Sequence, residues 1–229
     1  MSWIRMQSDT EQRMAAVALV VAGVCFLLYP AIRPFTDEDS LAGAKAFSSD
    51  AWVIAHMLAV LAFILFSLGL SGLAQRLQTR LARSSVVVSW IGVGLTLTYY
   101  GAEVFGLHAI GATVVEKQDV TLLRLADDIR FGPGITVLIA GLLLLAFGVL
   151  LAEIAVWRSG DLPRWSGLPL VVGFALYLPQ YLASQPVRVA HAVLITAGCF
   201  WIASALWRAD RRSAPLLRAT ESTDSSGGC

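Results

Sequence analysis

Charge is scarce in this sequence: Asp, Glu, Lys and Arg supply 14% of its 229 residues, where a soluble domain carries roughly 25%. Together with 57% hydrophobic residues and a mean hydropathy of +0.70, that shortage excludes an ordinary water-soluble globule and points to the membrane class. No basic tract is present and the net charge is only +1, which excludes nucleic acid as a partner and leaves the lipid bilayer. Cysteine is equally sparse. Cys25, Cys199 and Cys229 stand far apart with no CxxC, so neither a disulfide framework nor a zinc ribbon is written here. Cys25 and Cys199 lie in apolar runs and read as small packing residues, while Cys229 stands at the wrong distance from the end for a prenylation box. HExxH and GxxxxGK[ST] are also missing, which removes a helical zinc-protease motif and a phosphate loop. The first apolar run, MAAVALVVAGVCFLLY at 14–29, has no small-x-small cleavage site after it and reads as a retained helix rather than a leader.

What is abundant is apolar length. A helix needs ~20 mostly apolar residues to cross the hydrocarbon core, and six segments qualify: 14–32, 51–74, 85–111, 134–157, 165–183 and 187–207. The expected fold is therefore all-α, a bundle of six transmembrane helices filling residues 1–208, followed by a polar, irregular cytoplasmic tail at 209–229. Basic residues flank the spans unevenly. With the N-terminus inside, Arg and Lys number eleven on that side and six on the other, so both termini are expected in the cytoplasm. Trp90, Trp157, Trp165 and Trp207 then fall at inner ends and Tyr29, Trp52 and Tyr181 at outer ends, as interfacial anchors. A bacterial plasma membrane is the expected location. In VTLLRLADDIRF, 120–131, Leu122, Leu125 and Ile129 recur at helical spacing, which predicts a short interfacial helix between the third and fourth spans.

Three histidines complete the inventory, and the topology puts His56, His191 and His108 all in one outer slab. Glu103 lies deeper on the third span, about 7 Å below His108 at the helical rise. A carboxylate in hydrocarbon costs a few kcal/mol or more, so Glu103 is expected to face the bundle interior, on a stripe with Gly92, Thr96 and Tyr99. Glu103 and His108 are five residues apart, about 140° around the helix. One straight helix therefore cannot aim both at one point, and one of them joins His56 and His191. Tyr177, Gln180 and Tyr181 follow one face of the fifth span toward the same level.

Two imidazoles and a carboxylate suit a transition metal with an open position. Two histidines at equal depth also suit a haem iron held from both sides, and a histidine beside a buried glutamate suits proton handling. Each histidine equally suits a simple bond to a neighbouring helix. The leading expectation is an outer-facing pocket with His56, His191 and His108 as metal ligands, Glu103 as acid/base, and Tyr99, Tyr177, Gln180 and Tyr181 lining it around a metal or small polar ligand. An intramembrane enzyme is one version of it. A proton-coupled transporter or channel, and a scaffold without chemistry, are the alternatives. Glu153, near the inner end of the fourth span, is expected to reach the interface or pair with Arg158.

Overall fold

The structure is a computed structural model that describes residues 2–224, with side chains described over 10–209. Among the described residues the regular structure is entirely helical: α1 (Ser2–Ile32), α2 (Leu41–Phe47), α3 (Asp50–Leu77), α4 (Arg80–Lys117), a 3₁₀ turn (Val120–Leu123), α5 (Arg124–Phe131), α6 (Pro133–Ser159), α7 (Leu168–Ala175), a second 3₁₀ turn (Pro179–Leu182) and α8 (Gln185–Asp224). α8 continues into the segment expected as an irregular tail, whose last residues, 225–229, lie outside the described range. Among the described residues five helical stretches are long and apolar enough to cross a membrane, the fourth counted from the first 3₁₀ turn through α5 to the end of α6.

Local chemistry sets the boundaries. Ser49 and Thr79 begin α3 and α4 by accepting hydrogen bonds from the N–H groups of Trp52 and Ala82, satisfying donors that a helix start leaves open. Pro133 opens α6, where its missing N–H costs nothing. The expected fifth span is different. Pro179 cannot donate, and its ring crowds the carbonyl four residues back. Helix α7 accordingly stops at Ala175 after eight residues, roughly 12 Å of rise against the ~30 Å of a hydrocarbon core. The chain continues through a 3₁₀ turn instead of one straight helix.

Six elements nevertheless close a ring. α1 packs on α3, α3 on α4, α4 on α6, α6 on α7, α7 on α8, and α8 returns to α1. The tightest join is α4 with α6: a Cβ added at Gly92 would meet the Gly141 carbonyl oxygen at 2.6 Å, and one at Gly141 would meet the Gly92 oxygen at 2.8 Å. Backbones approach this closely only where side chains are small. The middle of the ring holds an aromatic cluster in which Phe26 meets Phe63 edge-on at 5.1 Å and Phe174 stacks on Tyr177 at 5.9 Å, both geometries that suit ring quadrupoles. Leu61, Ile64, Leu68, Leu143 and Phe147 are exposed on the outside of the ring, an apolar surface suited to lipid.

A second, smaller core caps one end. There α2, α5 and the first 3₁₀ turn press Ala44, Phe47, Leu123 and Ala126 against Trp52, Leu107 and Val114. α2 sits so close to α4 that a Cβ on Gly111 would meet the Ala44 carbonyl oxygen at 2.6 Å. Sequence patterning assigns no element to LAGAKAF. Its helix starts where the Ser40 hydroxyl accepts from the Gly43 N–H. The helix expected over 120–131 forms, but Leu123, Ala126 and Arg130 are its buried face while Leu125 is exposed, a stripe one residue on from the expected one. Trp52 departs further from its expected role. It is fully buried, roofed by α2, and so is not an interfacial anchor; Tyr29 is buried as well.

Candidate functional site

The capped end gathers ionisable side chains from five different segments. His56 projects from the second turn of α3. Its Nδ1 lies 2.7 Å from the Trp52 carbonyl, and a carbonyl only accepts, so Nδ1 carries the proton. In the neutral ring this leaves a lone pair on Nε2, which is sealed from solvent without a hydrogen-bond partner. Nε2 faces Glu103 Oε2 at 4.0 Å. At that separation the two groups face each other without a hydrogen bond.

From Glu103 a chain of ion pairs runs outward. Its second oxygen, Oε1, lies 3.4 Å from Arg130 Nε. Arg130 Nη1 donates to Glu38 Oε2, and Glu38 Oε1 accepts from Arg33 Nη2 at 2.8 Å. Burial alone would raise the Glu38 carboxyl pKa, but the charges of Arg130 and Arg33 outweigh it and hold the group below its usual range. Both guanidiniums also lie over aromatic faces, Arg33 4.8 Å from Trp52 and Arg130 5.0 Å from Phe47, a favourable cation–π placement in a desolvated site.

The network does not satisfy itself. Arg33 Nε and Nη1 and Trp52 Nε1 are buried donors without a hydrogen-bond partner among the described residues, and His56 Nε2 is a buried acceptor without one. Buried polar groups left unpaired cost about 1–3 kcal/mol each. Next to them, Arg33, Arg130 and Arg188 line a crevice of about 340 Å³ together with Tyr99, Tyr181 and apolar residues of α6, within the range typical of ligand pockets. Arg188 is held by the carbonyls of Ala183, at 2.9 Å, and Tyr181. A smaller cavity of about 20 Å³ shares Arg33 and Arg188 with the crevice and is completed by Tyr29, Tyr177, Gln180 and His191, with room for about one water.

The expected site residues thus separate into groups. Glu103 is buried on the stripe with Gly92, Thr96 and Tyr99 and meets His56. His108, turned away by the helical angle, has Nδ1 3.0 Å from the Phe47 carbonyl. His191 has Nε2 2.7 Å from the Gly173 carbonyl and packs edge-on against Tyr177. Among the described residues no group of three His, Cys, Asp or Glu side chains is placed to hold a metal, because each imidazole is committed to a different carbonyl. Tyr99 and Tyr181 line the crevice, whereas Tyr177 and Gln180 line the smaller cavity.

Sequence patterning missed Arg33, Glu38 and Arg130. The available signal was the spacing Leu123, Ala126, Arg130, which puts an arginine on the face of α5 that turns inward. Glu153 was also misjudged. Its carboxylate does not pair with Arg158. Both oxygens are sealed from solvent beside Leu70, Val149 and Gly167, with the Gly167 backbone against the carboxylate, and a Cβ on Gly167 would strike Oε2. Compared with protein-family models, with curated proteins and with solved structures, the chain finds no match.

Proposed function

We propose that the chain is a six-span membrane protein with both termini cytoplasmic, holding a small anionic ligand in a pocket at its outer end. Six ring elements, the interrupted α7 segment among them, and the eleven-to-six bias of basic residues support the topology. One observation carries the ligand: Arg33, Arg130 and Arg188 line a single crevice, while only Glu38 and Glu103 face them as carboxylates. Three guanidiniums against two carboxylates leave one positive charge uncompensated, which an anion with several acceptor oxygens answers. In this reading Glu103 and His56 form the buried foot of the network and position Arg130. Among the described residues no group of three ligands supports the metal reading.

The test is thermal unfolding of the detergent-purified protein in phosphate against chloride at equal ionic strength. At ten times the dissociation constant a bound anion adds about 1.4 kcal/mol, or roughly 3–6 °C for a chain of this size. Arg188→Gln removes the gain. Equal midpoints in the two salts would refute the proposal. A second reading, proton-coupled transport, is favoured by the face-to-face His56 and Glu103. It requires proteoliposomes to take up protons in a manner abolished by Glu103→Gln.

A further inference from the structure

The crevice is larger and more apolar than a small anion needs, and its shape carries a further step. Behind the three guanidiniums its walls are Ile135, Leu138 and Ile139 of α6 on one side and Leu178 and Leu182 on the other. Its lip is open sideways: Leu182 is 94% exposed, Phe131 71% and Ile139 38%. The arginines sit at element ends, Arg33 just past α1, Arg130 near the end of α5 and Arg188 in the first turn of α8. That is the level at which lipid phosphates lie when the apolar stretches of α1, α6 and α8 occupy the hydrocarbon.

Resting on the anion-binding reading above, we infer that the occupant is an anionic phospholipid of the outer leaflet, entering laterally. Its phosphate meets the three arginines and the first part of one acyl chain lies between α6 and the Leu178–Leu182 turn. The charges select the head, as basic pockets between transmembrane helices do for anionic headgroups. The tail gains little over the bilayer, since one apolar surroundings replaces another. Selectivity therefore lies in the head and retention in the groove.

The experiment places the full chain in nanodiscs of equimolar phosphatidylglycerol and phosphatidylcholine, extracts it, and counts retained lipids by native mass spectrometry. We expect phosphatidylglycerol to be retained at least fivefold over phosphatidylcholine, and Arg188→Gln to reduce that ratio about fivefold, the effect of one basic side chain at a membrane surface. Ile139→Trp, which crowds the lip from an exposed position, removes retention; stabilisation of the unsubstituted chain by inorganic phosphate is measured beside it. Equal retention of the two lipids, or retention unchanged in Ile139→Trp, overturns the lipid assignment. If phosphate still stabilises the protein in that case, the occupant is a soluble anion and the broader reading stands. If phosphate does nothing either, both fail.

Discussion

Arg130 is the joint of the polar network, and replacing it with methionine gives the most direct test. The guanidinium bonds Glu38 on one side and lies 3.4 Å from Glu103 on the other. It also packs on Phe47 at 5.0 Å. Removing one partner of a buried ion pair costs about 3–5 kcal/mol, because the remaining charge is left without compensation. The lost cation–π contact adds about 1 kcal/mol. Methionine keeps most of the apolar stem, so little of the effect is cavity formation. Arg130→Met should therefore destabilise the detergent-purified protein by about 4–6 kcal/mol, measured as denaturant or thermal unfolding. The decisive measurement is the cycle with Glu103→Gln. In the Arg130→Met background that second change relieves a stranded carboxylate, so the double variant should be more stable than the sum of the two singles by about 1–3 kcal/mol. A loss under 1 kcal/mol for Arg130→Met, or additive effects in the double variant, would refute the network.

Two further expectations follow from the same geometry. Because Glu38 has a folded pKa below its unfolded one, its contribution to stability is complete above the ordinary carboxylate range and is lost as pH falls through the folded value; thermal midpoints measured downward in pH should decline on that limb, and Glu38→Gln should flatten it while lowering the neutral-pH plateau. Glu153 has two sealed oxygens with only the Gly167 backbone set against them, so Glu153→Met, which fills similar space without them, should raise stability by about 1–3 kcal/mol in the same unfolding assay. A fall instead would mean that the Gly167 contact outweighs the burial of the carboxylate.

The long elements were legible because hydropathy over ~20 residues is a strong signal: α3, α4, α6 and the apolar part of α8 lie where the runs of Ala, Leu, Val and Ile put them. Burial of Glu103 was legible too, since a carboxylate at that depth has few tolerable neighbours, and the 140° argument correctly separated it from His108. What stayed hidden depends on tertiary register. α2 is seven residues long, too short for periodicity to distinguish from loop, and it is helical because α3 and α4 supply a floor for Phe47 and Ala44. Arg130 faces inward through a one-residue shift in the buried stripe of α5, which neighbouring apolar side chains at 122, 125 and 129 disguise. The interruption at Pro179 was visible as a residue but not as an outcome, because proline in an apolar run either bends a span or ends it according to its neighbours.

The reciprocal contact of Gly92 and Gly141 has a mechanical meaning for the crevice beside it. With backbone oxygens filling the place where side chains would be, α4 and α6 cannot slide past one another without collision, so the wall formed by Ile135, Leu138 and Ile139 is fixed. The opposite wall is a 3₁₀ turn joined to its neighbours by side chains, through the Tyr100–Tyr181 hydroxyl contact at 2.9 Å and through Arg188 on the Tyr181 and Ala183 carbonyls. The crevice is thus a vise with one anchored jaw. Adjustment to ligands of different girth falls on Leu178–Leu182, and a methyl added at Gly92 would be felt in the anchored jaw alone.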